Sequence, residues 1–235
     1  LPRNSLIPMT DPRIIVAIDT YDLIKANSIL AQLDSDFCMI KIGSVVFNAL
    51  GKSFLREASS QGFKIFLDLK LHDIPNTVHE TILSFHDCSI EMLTVHLSGG
   101  EEMLKKATLA GKSINTKVIG VSILTSLDES DTLALFGNNL DDQIENLFKI
   151  AARVNLDGIV CSPHELEMSK IILGSHAIKI TPGIRDIKVE DDQARIMSAK
   201  EAVEKGATFL VIGRPIIQAP DISRALKNFS DSIEK

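Results

Sequence analysis

The sequence has no tryptophan, one tyrosine and no excess of basic residues. Lys and Arg together number 25 against 31 Asp and Glu, which gives a formal net charge of -6. Binding to nucleic acid or to an anionic membrane relies on a basic surface, and single-stranded nucleic acid is also held by stacking on aromatic side chains. The composition therefore argues against both partners. Any anionic ligand must be held by a few placed cations and backbone N–H groups.

Cysteine is scarce as well, and long apolar runs are missing. Cys38, Cys88 and Cys161 are odd in number, far apart and outside any C-x-x-C pattern. This usage favours buried, reduced thiols in a cytoplasmic protein over a disulfide framework. No apolar run approaches the roughly 20 residues of a membrane span, so we expect no membrane segment.

The first ten residues look separate from the rest of the chain. Residues 1–9 have neither the charge nor the continuous apolar core of a signal peptide, and Met9 is followed by Thr-Asp-Pro. We therefore expect residues 1–10 to be an N-terminal extension or a cloning remnant, and residues 11–235 to form a single domain.

Short apolar or β-branched runs alternate with longer segments of helical period, a pattern typical of repeated βα units around a parallel sheet. The predicted strands cover residues 14–19, 38–43, 64–70, 92–97, 117–124, 158–162, 177–181 and 209–213. The main predicted helices cover residues 23–33, 76–86, 101–110, 141–154, 164–173, 193–205 and 221–235. Eight strands, each followed by a helix and without a break in composition, predict one (β/α)8 TIM barrel of the α/β class. A doubly wound open sheet is the alternative.

Polar residues collect at the predicted carboxyl ends of the strands, which form the catalytic face of a TIM barrel. An open sheet would instead cluster them at one switch point. The residues at these ends are Asp19, Lys41, Asp68, Lys70, His96, Thr125, Ser126, Ser162, Thr181, Gly213 and Arg214. Their spread over nearly every strand favours the closed barrel.

The third predicted strand carries the densest set of charges. Side chains alternate in direction along a strand, so Asp68 and Lys70 share one face, the barrel interior, and Asp73 follows in the loop. An ion-pair cluster that only fills the barrel mouth is the conservative interpretation. Buried charges are costly even when paired, however, so several of them at one strand end indicate a site. Asp19 and Lys41, at the ends of the two preceding strands, would extend the array.

Residues 68–77 read Asp-Leu-Lys-Leu-His-Asp-Ile-Pro-Asn-Thr. This segment closely resembles the signature of the orotidine 5'-phosphate decarboxylase family, in which Asp-x-Lys-x-x-Asp continues as Ile-Pro-Asn-Thr. The resemblance extends from residue 14 over nearly the whole chain. It includes, in the right order and at strand ends, residues 16–19, 40–43, 124–126, 181–185 and 212–216.

The resemblance implies an enzyme that converts orotidine 5'-monophosphate to uridine 5'-monophosphate (UMP) and carbon dioxide in de novo pyrimidine biosynthesis, without a metal or an organic cofactor. Lys70 would protonate C6 of the pyrimidine as carbon dioxide leaves, and Asp68 would face the carboxylate of the substrate. Asp73 and Ile74 match residues that the family inserts into the neighbouring subunit's site, which implies a homodimer with shared active sites. Lys41, Asp68, Lys70 and the partner's Asp73 would then form one charged row.

The resemblance also implies contacts along the rest of the substrate. Asp19 and Lys41 match positions that bind the ribose hydroxyls, and Thr125 or Ser126 matches the contact to the pyrimidine ring. The loops after strands seven and eight are the usual phosphate site of a TIM barrel. The remaining substrate-binding positions are Thr77, Pro182, Arg185, Gln193, Gly213 and Arg214.

The loop over residues 185–192 departs from the family pattern because it is highly charged and lacks Gly and Pro. We still expect it to close over the phosphate, with its acidic stretch pointing outward. His72, His79 and His86 recur every seven residues, two helical turns apart, which is too far for ligands of one ion. We therefore expect no histidine metal site.

Two alternative functions stay open. A Mg²⁺-dependent sugar-phosphate decarboxylase or aldolase of the same superfamily shares Asp-x-Lys-x-x-Asp but lacks Ile-Pro-Asn-Thr after it. A catalytically silent barrel that binds nucleotides is the other alternative, and retention of every charged residue in the array argues against it.

Overall fold

Eight parallel strands close into a barrel in sequence order. The computed structural model describes residues 12–184 and 197–234. The strands are β1 (Ile14–Ile18), β2 (Cys38–Gly43), β3 (Ile65–Leu71), β4 (Ile90–His96), β5 (Lys117–Val121), β6 (Gly158–Val160), β7 (Ile178–Thr181) and β8 (Phe209–Ile212). Because β1 pairs with both β2 and β8, the sheet has no edge. The predicted (β/α)8 barrel is confirmed, and the open sheet is wrong.

The helices of the described ranges form the outer layer. They are α1 (Leu23–Leu30), α2 (Ser44–Ser60), α3 (Pro75–Leu83), α4 (Gly100–Ser113), α5 (Glu129–Phe136), α6 (Leu140–Arg153), α7 (Leu166–Leu173), α8 (Ala199–Glu204), α9 (Arg214–Ile217) and α10 (Ile222–Glu234). Pro75 opens α3, where its missing N–H costs no helical hydrogen bond. Gly51 interrupts α2 with a φ of 65°, a conformation that favours glycine.

The apolar core has two layers, as expected for parallel strands buried on both faces. Outward-facing residues such as Val16, Ile40 and Leu67 pack against the helices. The alternate, inward-facing residues form a second cluster inside the barrel: Ile15, Ala17, Met39, Phe66, Met92, Ile119, Ile180, Phe209 and Val211. Side chains therefore fill the barrel, and a ligand must bind where the strands end.

Several sequence predictions fall outside the described residues. The predicted N-terminal extension lies within residues 1–11, which are not described. The predicted lid, with Arg185 and Gln193, lies within residues 185–196, which are not described either. The described part of the predicted helix over residues 193–205 is α8, which Ser198 and Glu201 begin with a capping box.

All three cysteines are buried free thiols, which confirms their predicted state. Burial is the main cause that raises the pKa of Cys38 and of Cys161 to about 12, so both stay protonated at neutral pH. Within residues 12–184 and 197–234, no helix combines the length and the apolar content that a membrane crossing requires.

Candidate active site

Three charged side chains meet where β2 and β3 reach the barrel mouth. The Nζ atom of Lys70 donates to both carboxylate oxygens of Asp68 at 2.9 Å, and Nζ of Lys41 lies 3.5 Å from Asp68 Oδ2. The register explains the meeting, because Gly43 of β2 pairs with Asp68 of β3. A Cβ atom at Gly43 would lie 3.2 Å from the Lys41 Nζ atom, so the glycine leaves room for the ammonium group. The predicted cluster of Lys41, Asp68 and Lys70 is present.

The two ammonium groups keep Asp68 ionised although its side chain is only 11% exposed. Burial alone would raise the pKa of Asp68. The charges of Lys41 and Lys70, together with hydrogen bonds from Lys70 and Thr94, outweigh burial and lower the pKa below its usual 3.8. The stabilisation from this ionised carboxylate is therefore complete above its usual pKa and is lost only as pH falls further.

Asp68 and Lys70 lie in a bulge of β3. Leu67 pairs with Leu93 and Leu71 pairs with Val95, so β3 advances four residues where β4 advances two. Within the bulge Lys70 has a φ of 52°, a left-handed conformation that costs on the order of 1–3 kcal/mol for a residue other than glycine. Such a conformation persists only where neighbouring groups hold it.

Thr94 of β4 lies opposite the bulge, and sequence reasoning missed it. Its Oγ1 atom accepts the backbone N–H of Lys70 at 2.8 Å and donates to Asp68 Oδ1 at 3.0 Å. Alternation from Met92, which lies inside the barrel, places Thr94 inside as well. That pattern was readable in the sequence, but the two hydrogen-bond partners were not.

His96 ends β4 beside this cluster, and its ring centroid lies 5.3 Å from that of His72. Burial, followed by electrostatic repulsion from His72 and Lys70, lowers the pKa of His96, while Asp68 opposes the shift. His96 is therefore a neutral imidazole at neutral pH. His72 lies in the loop between β3 and α3, as predicted.

The next residues of the signature segment are exposed to solvent. Ile74 is 67% exposed, and Asp73 and Thr77 are exposed as well. The Asp73 carboxylate accepts the backbone N–H of Ile74 at 2.6 Å. Among the described residues of its own chain, Asp73 has no ion-pair partner.

The other predicted site residues lie around the same rim. Each follows a strand: Asp19 follows β1, Thr125 and Ser126 follow β5, Pro182 follows β7, and Gly213 and Arg214 follow β8. Asp19 is exposed and forms no ion pair with the described residues, so the array does not extend to it in this chain. Pro182 and Gly213 are half-buried, and the others are exposed.

No three His, Cys, Asp or Glu side chains in the described part of the chain are arranged to hold a metal ion. Of the histidines that recur every seven residues, His79 contacts Glu80 and His86 contacts the carbonyl oxygen of Leu83.

Known proteins resemble this chain over nearly its whole length. The family described as "Orotidine 5'-phosphate decarboxylase / HUMPS family" matches residues 12–229. Orotidine 5'-phosphate decarboxylase of Psychromonas ingrahamii is 39% identical over 231 residues, covering 96% of this chain and 98% of that protein. The enzyme of the same name from Nitrosomonas europaea is 40% identical over 227 residues, covering 96% and 98%.

A solved structure agrees with these relatives. The crystal structure of orotidine 5'-phosphate decarboxylase from Lactobacillus acidophilus has a TM-score of 0.85 and 31% sequence identity. It covers 96% of this chain and 100% of its own.

Proposed function

We propose that this chain, which belongs to the orotidine 5'-phosphate decarboxylase / HUMPS family, converts orotidine 5'-monophosphate to UMP and carbon dioxide in pyrimidine biosynthesis. One observation carries the chemical part of this proposal: the Lys70 ammonium is held by both oxygens of a buried, ionised Asp68 at the barrel mouth. The clustered charges of Lys41, Asp68 and Lys70 lie where TIM-barrel enzymes place their chemistry.

Lys70 is the proton donor of the proposed reaction. The bond between C6 and the carboxylate carbon breaks, its electron pair stays on C6, and the Lys70 ammonium delivers a proton to that carbon. Because the pair lies in the plane of the ring, it cannot delocalise into the π system, and a fixed positive charge beside C6 stabilises it as it forms. Lys70 then regains a proton from water.

Asp68 faces the departing carboxylate in this proposal and fixes the direction of the Lys70 ammonium. Its lowered pKa keeps it a hydrogen-bond acceptor at neutral pH, so it orients Lys70 without taking its proton. Lys41 supports the charge of Asp68 from the other side at 3.5 Å.

A homodimer with shared active sites is the second part of the proposal. Lys41, Asp68 and Lys70 together carry one excess positive charge, and a carboxylate from outside the chain would balance it. Asp73 has no ion-pair partner among the described residues of its own chain, and the neighbouring Ile74 exposes an apolar side chain. Their insertion into the partner's site accounts for both features.

The remaining rim residues would bind the non-reacting parts of the substrate. We assign the ribose hydroxyls to Asp19 and Lys41 and the pyrimidine ring to Thr125 or Ser126. We assign phosphate binding to the loops after β7 and β8. Gly213 and Arg214 would bind it, together with Arg185 and Gln193, which lie outside the described residues. Thr77 and Pro182 complete the proposed set. A cytoplasmic location fits the three buried free thiols.

Replacing Arg214 with alanine is expected to lower kcat/KM for orotidine 5'-monophosphate by about 10- to 100-fold, the value of a hydrogen bond to a charged group. Its exposed guanidinium lies beside Gly213, where a phosphate can approach the backbone. Steady-state kinetics measure the effect. Arg153→Ala is the matched control, because Arg153 forms a surface ion pair with Glu101 at 2.6 Å and should not affect turnover. Equal kinetics for both variants would contradict the phosphate assignment.

Metal dependence separates the proposal from the Mg²⁺-dependent alternative. We expect full turnover of orotidine 5'-monophosphate in excess EDTA, because charged side chains and not a Lewis acid stabilise the carbanion. Loss of the orotate absorbance measures the turnover. Inactivation by EDTA that added Mg²⁺ reverses would contradict the metal-free mechanism and favour metal-dependent chemistry of the kind that the sugar-phosphate enzymes use. Absence of turnover in either condition, with UMP still bound, would favour the catalytically silent barrel.

A further inference from the structure

We propose that Thr94 is a positioning residue that holds Asp68 and Lys70 in the arrangement needed for proton transfer. This inference rests on the proposed role of Lys70 as the proton donor. Thr94 acts through these two residues, and it belongs to neither the signature segment nor the set of matched substrate contacts.

The bulge in β3 creates the need for such a residue. Between the Leu67–Leu93 and Leu71–Val95 pairs, three residues of β3 lie opposite one residue of β4, and none of the three has a ladder partner there. The backbone N–H of Lys70 is one group that loses its place in the ladder, and the Thr94 hydroxyl accepts it at 2.8 Å. A side chain thus replaces a backbone acceptor at the residue with a φ of 52°.

The same hydroxyl also fixes Asp68. It donates to Oδ1 at 3.0 Å, and both carboxylate oxygens accept from Lys70 Nζ at 2.9 Å. One oxygen atom of Thr94 therefore joins the backbone of the proton donor to the carboxylate that directs its ammonium group. Loss of this link frees the Lys70 backbone and the Asp68 carboxylate together.

Burial and rigidity suit Thr94 to this task. Its exposed fraction is 0%, so bulk water does not compete for either hydrogen bond. Its β-branched side chain has restricted χ1 freedom, and its hydroxyl supplies a good donor and a good acceptor at one atom. Valine has nearly the same shape and supplies neither.

Two substitutions at position 94 separate the hydroxyl from the shape of the side chain. We expect Thr94→Val to lower kcat by about 10- to 100-fold, the scale of a misplacement near 1 Å, with less change in KM. Thr94→Ser keeps the hydroxyl and should restore kcat to within about threefold of wild type. Steady-state kinetics with orotidine 5'-monophosphate, together with thermal unfolding, measure both variants.

The pH profile adds a readout that a purely structural role would not change. Asp68 faces Lys41 from β2, Lys70 from β3 and His96 from β4, and the Thr94 hydroxyl bonds to its ionised form. Removal of that hydrogen bond raises the pKa of Asp68 toward its usual value, so the acid limb of kcat/KM should move to higher pH in Thr94→Val. Thr94→Ser should keep the wild-type limb.

Thr116→Val is the matched control, because Thr116, directly before β5, is also a buried threonine whose side chain donates a hydrogen bond to a strand. Its Oγ1 atom donates to the carbonyl of Ile90 at 2.8 Å, at the opposite end of β4. We expect Thr116→Val to lose thermal stability while its kcat and acid limb stay at wild-type values. If Thr94→Val behaves in the same way, the positioning role is overturned.

A further variant covers a folding failure of Thr94→Val. In Thr94→Cys the thiol is a weak donor and a weak acceptor, so reduced kcat and a shifted acid limb are expected. Wild-type kinetics in Thr94→Cys would overturn the inference. Failure of the proposed role of Lys70 would show elsewhere, as near-normal turnover in a Lys70→Ala variant with Thr94 intact, and failure of the proposed function would show as absence of turnover in the wild-type protein.

Discussion

Replacing Lys70 with alanine is expected to lower kcat for orotidine 5'-monophosphate by about 10⁴-fold or more, because one side chain supplies both the proton and the charge beside C6. The fold should survive. Alanine keeps the Cβ atom of Lys70, and Asp68 retains the Lys41 ammonium at 3.5 Å and the Thr94 hydroxyl at 3.0 Å. UMP should still bind, since the phosphate and ribose contacts lie elsewhere on the rim. Loss of the orotate absorbance measures turnover, and calorimetry with UMP measures binding.

Lys105→Ala is the matched control for this experiment. The Lys105 side chain is 57% exposed and pairs with Glu101 at 3.5 Å on the surface of α4, so its loss should leave kcat unchanged. Near-normal turnover in Lys70→Ala would refute the role of Lys70 as proton donor. Calorimetry with a 6-substituted UMP that carries a negative charge separates binding from catalysis. Lys70→Ala should weaken the binding of this analogue more than it weakens the binding of UMP.

Mixing two inactive variants is expected to restore activity if the active sites are shared. Asp73→Ala should lose about 10²-fold or more in kcat, because the charged row loses a carboxylate placed at the reacting centre. In a mixed dimer with Lys70→Ala, one site has an intact Lys70 and the partner's intact Asp73. Random mixing in equal amounts should therefore restore about a quarter of the wild-type activity per chain.

Two controls make the mixing experiment decisive. Chains with different affinity tags are refolded together, and the doubly tagged dimers are isolated and assayed; with one intact site of two, they should have about half of the wild-type activity per chain. A mixture of Lys70→Ala with Asp68→Ala should stay inactive, because both residues lie in one chain's cluster and no mixed dimer has an intact site. Restored activity in that mixture, or none with Asp73→Ala, would contradict the shared site.

The sequence predicted the barrel from local patterns that the tertiary structure did not override. The observed bounds of β2, Cys38–Gly43, equal the predicted ones, because a parallel strand buried on both faces is a nearly continuous apolar run, interrupted here only by Lys41. Strand ends were predicted less well. The apolar run after Lys117 continues to residue 124, but β5 ends at Val121, where its pairing with His96 of β4 and Val160 of β6 also ends.

The sequence prediction named no helix at α2, α5 or α9, although the signal for α5 was present. Asp128 and Asp131 form a capping box at the start of α5, and Gly137 ends it with a φ of 75°. The helix spans only Glu129–Phe136, and apolar side chains on its surface, such as Leu133 at 57% exposure, blur its periodicity. For α5, the capping residues indicate the helix better than the periodicity of its apolar residues does.

The sequence by itself determined the α/β class, the order of the strands and the segment at residues 68–77, because these depend on spacing along the chain. It also placed Lys41, Asp68 and Lys70 at neighbouring strand ends. Only the tertiary structure decided how these charges are held. The register between β3 and β4 sets the bulge, the left-handed Lys70 and the hydrogen bonds of Thr94, which lies 24 residues from Lys70 along the chain. Those contacts form only when the closed sheet brings distant segments together, so no local pattern in the chain encodes them.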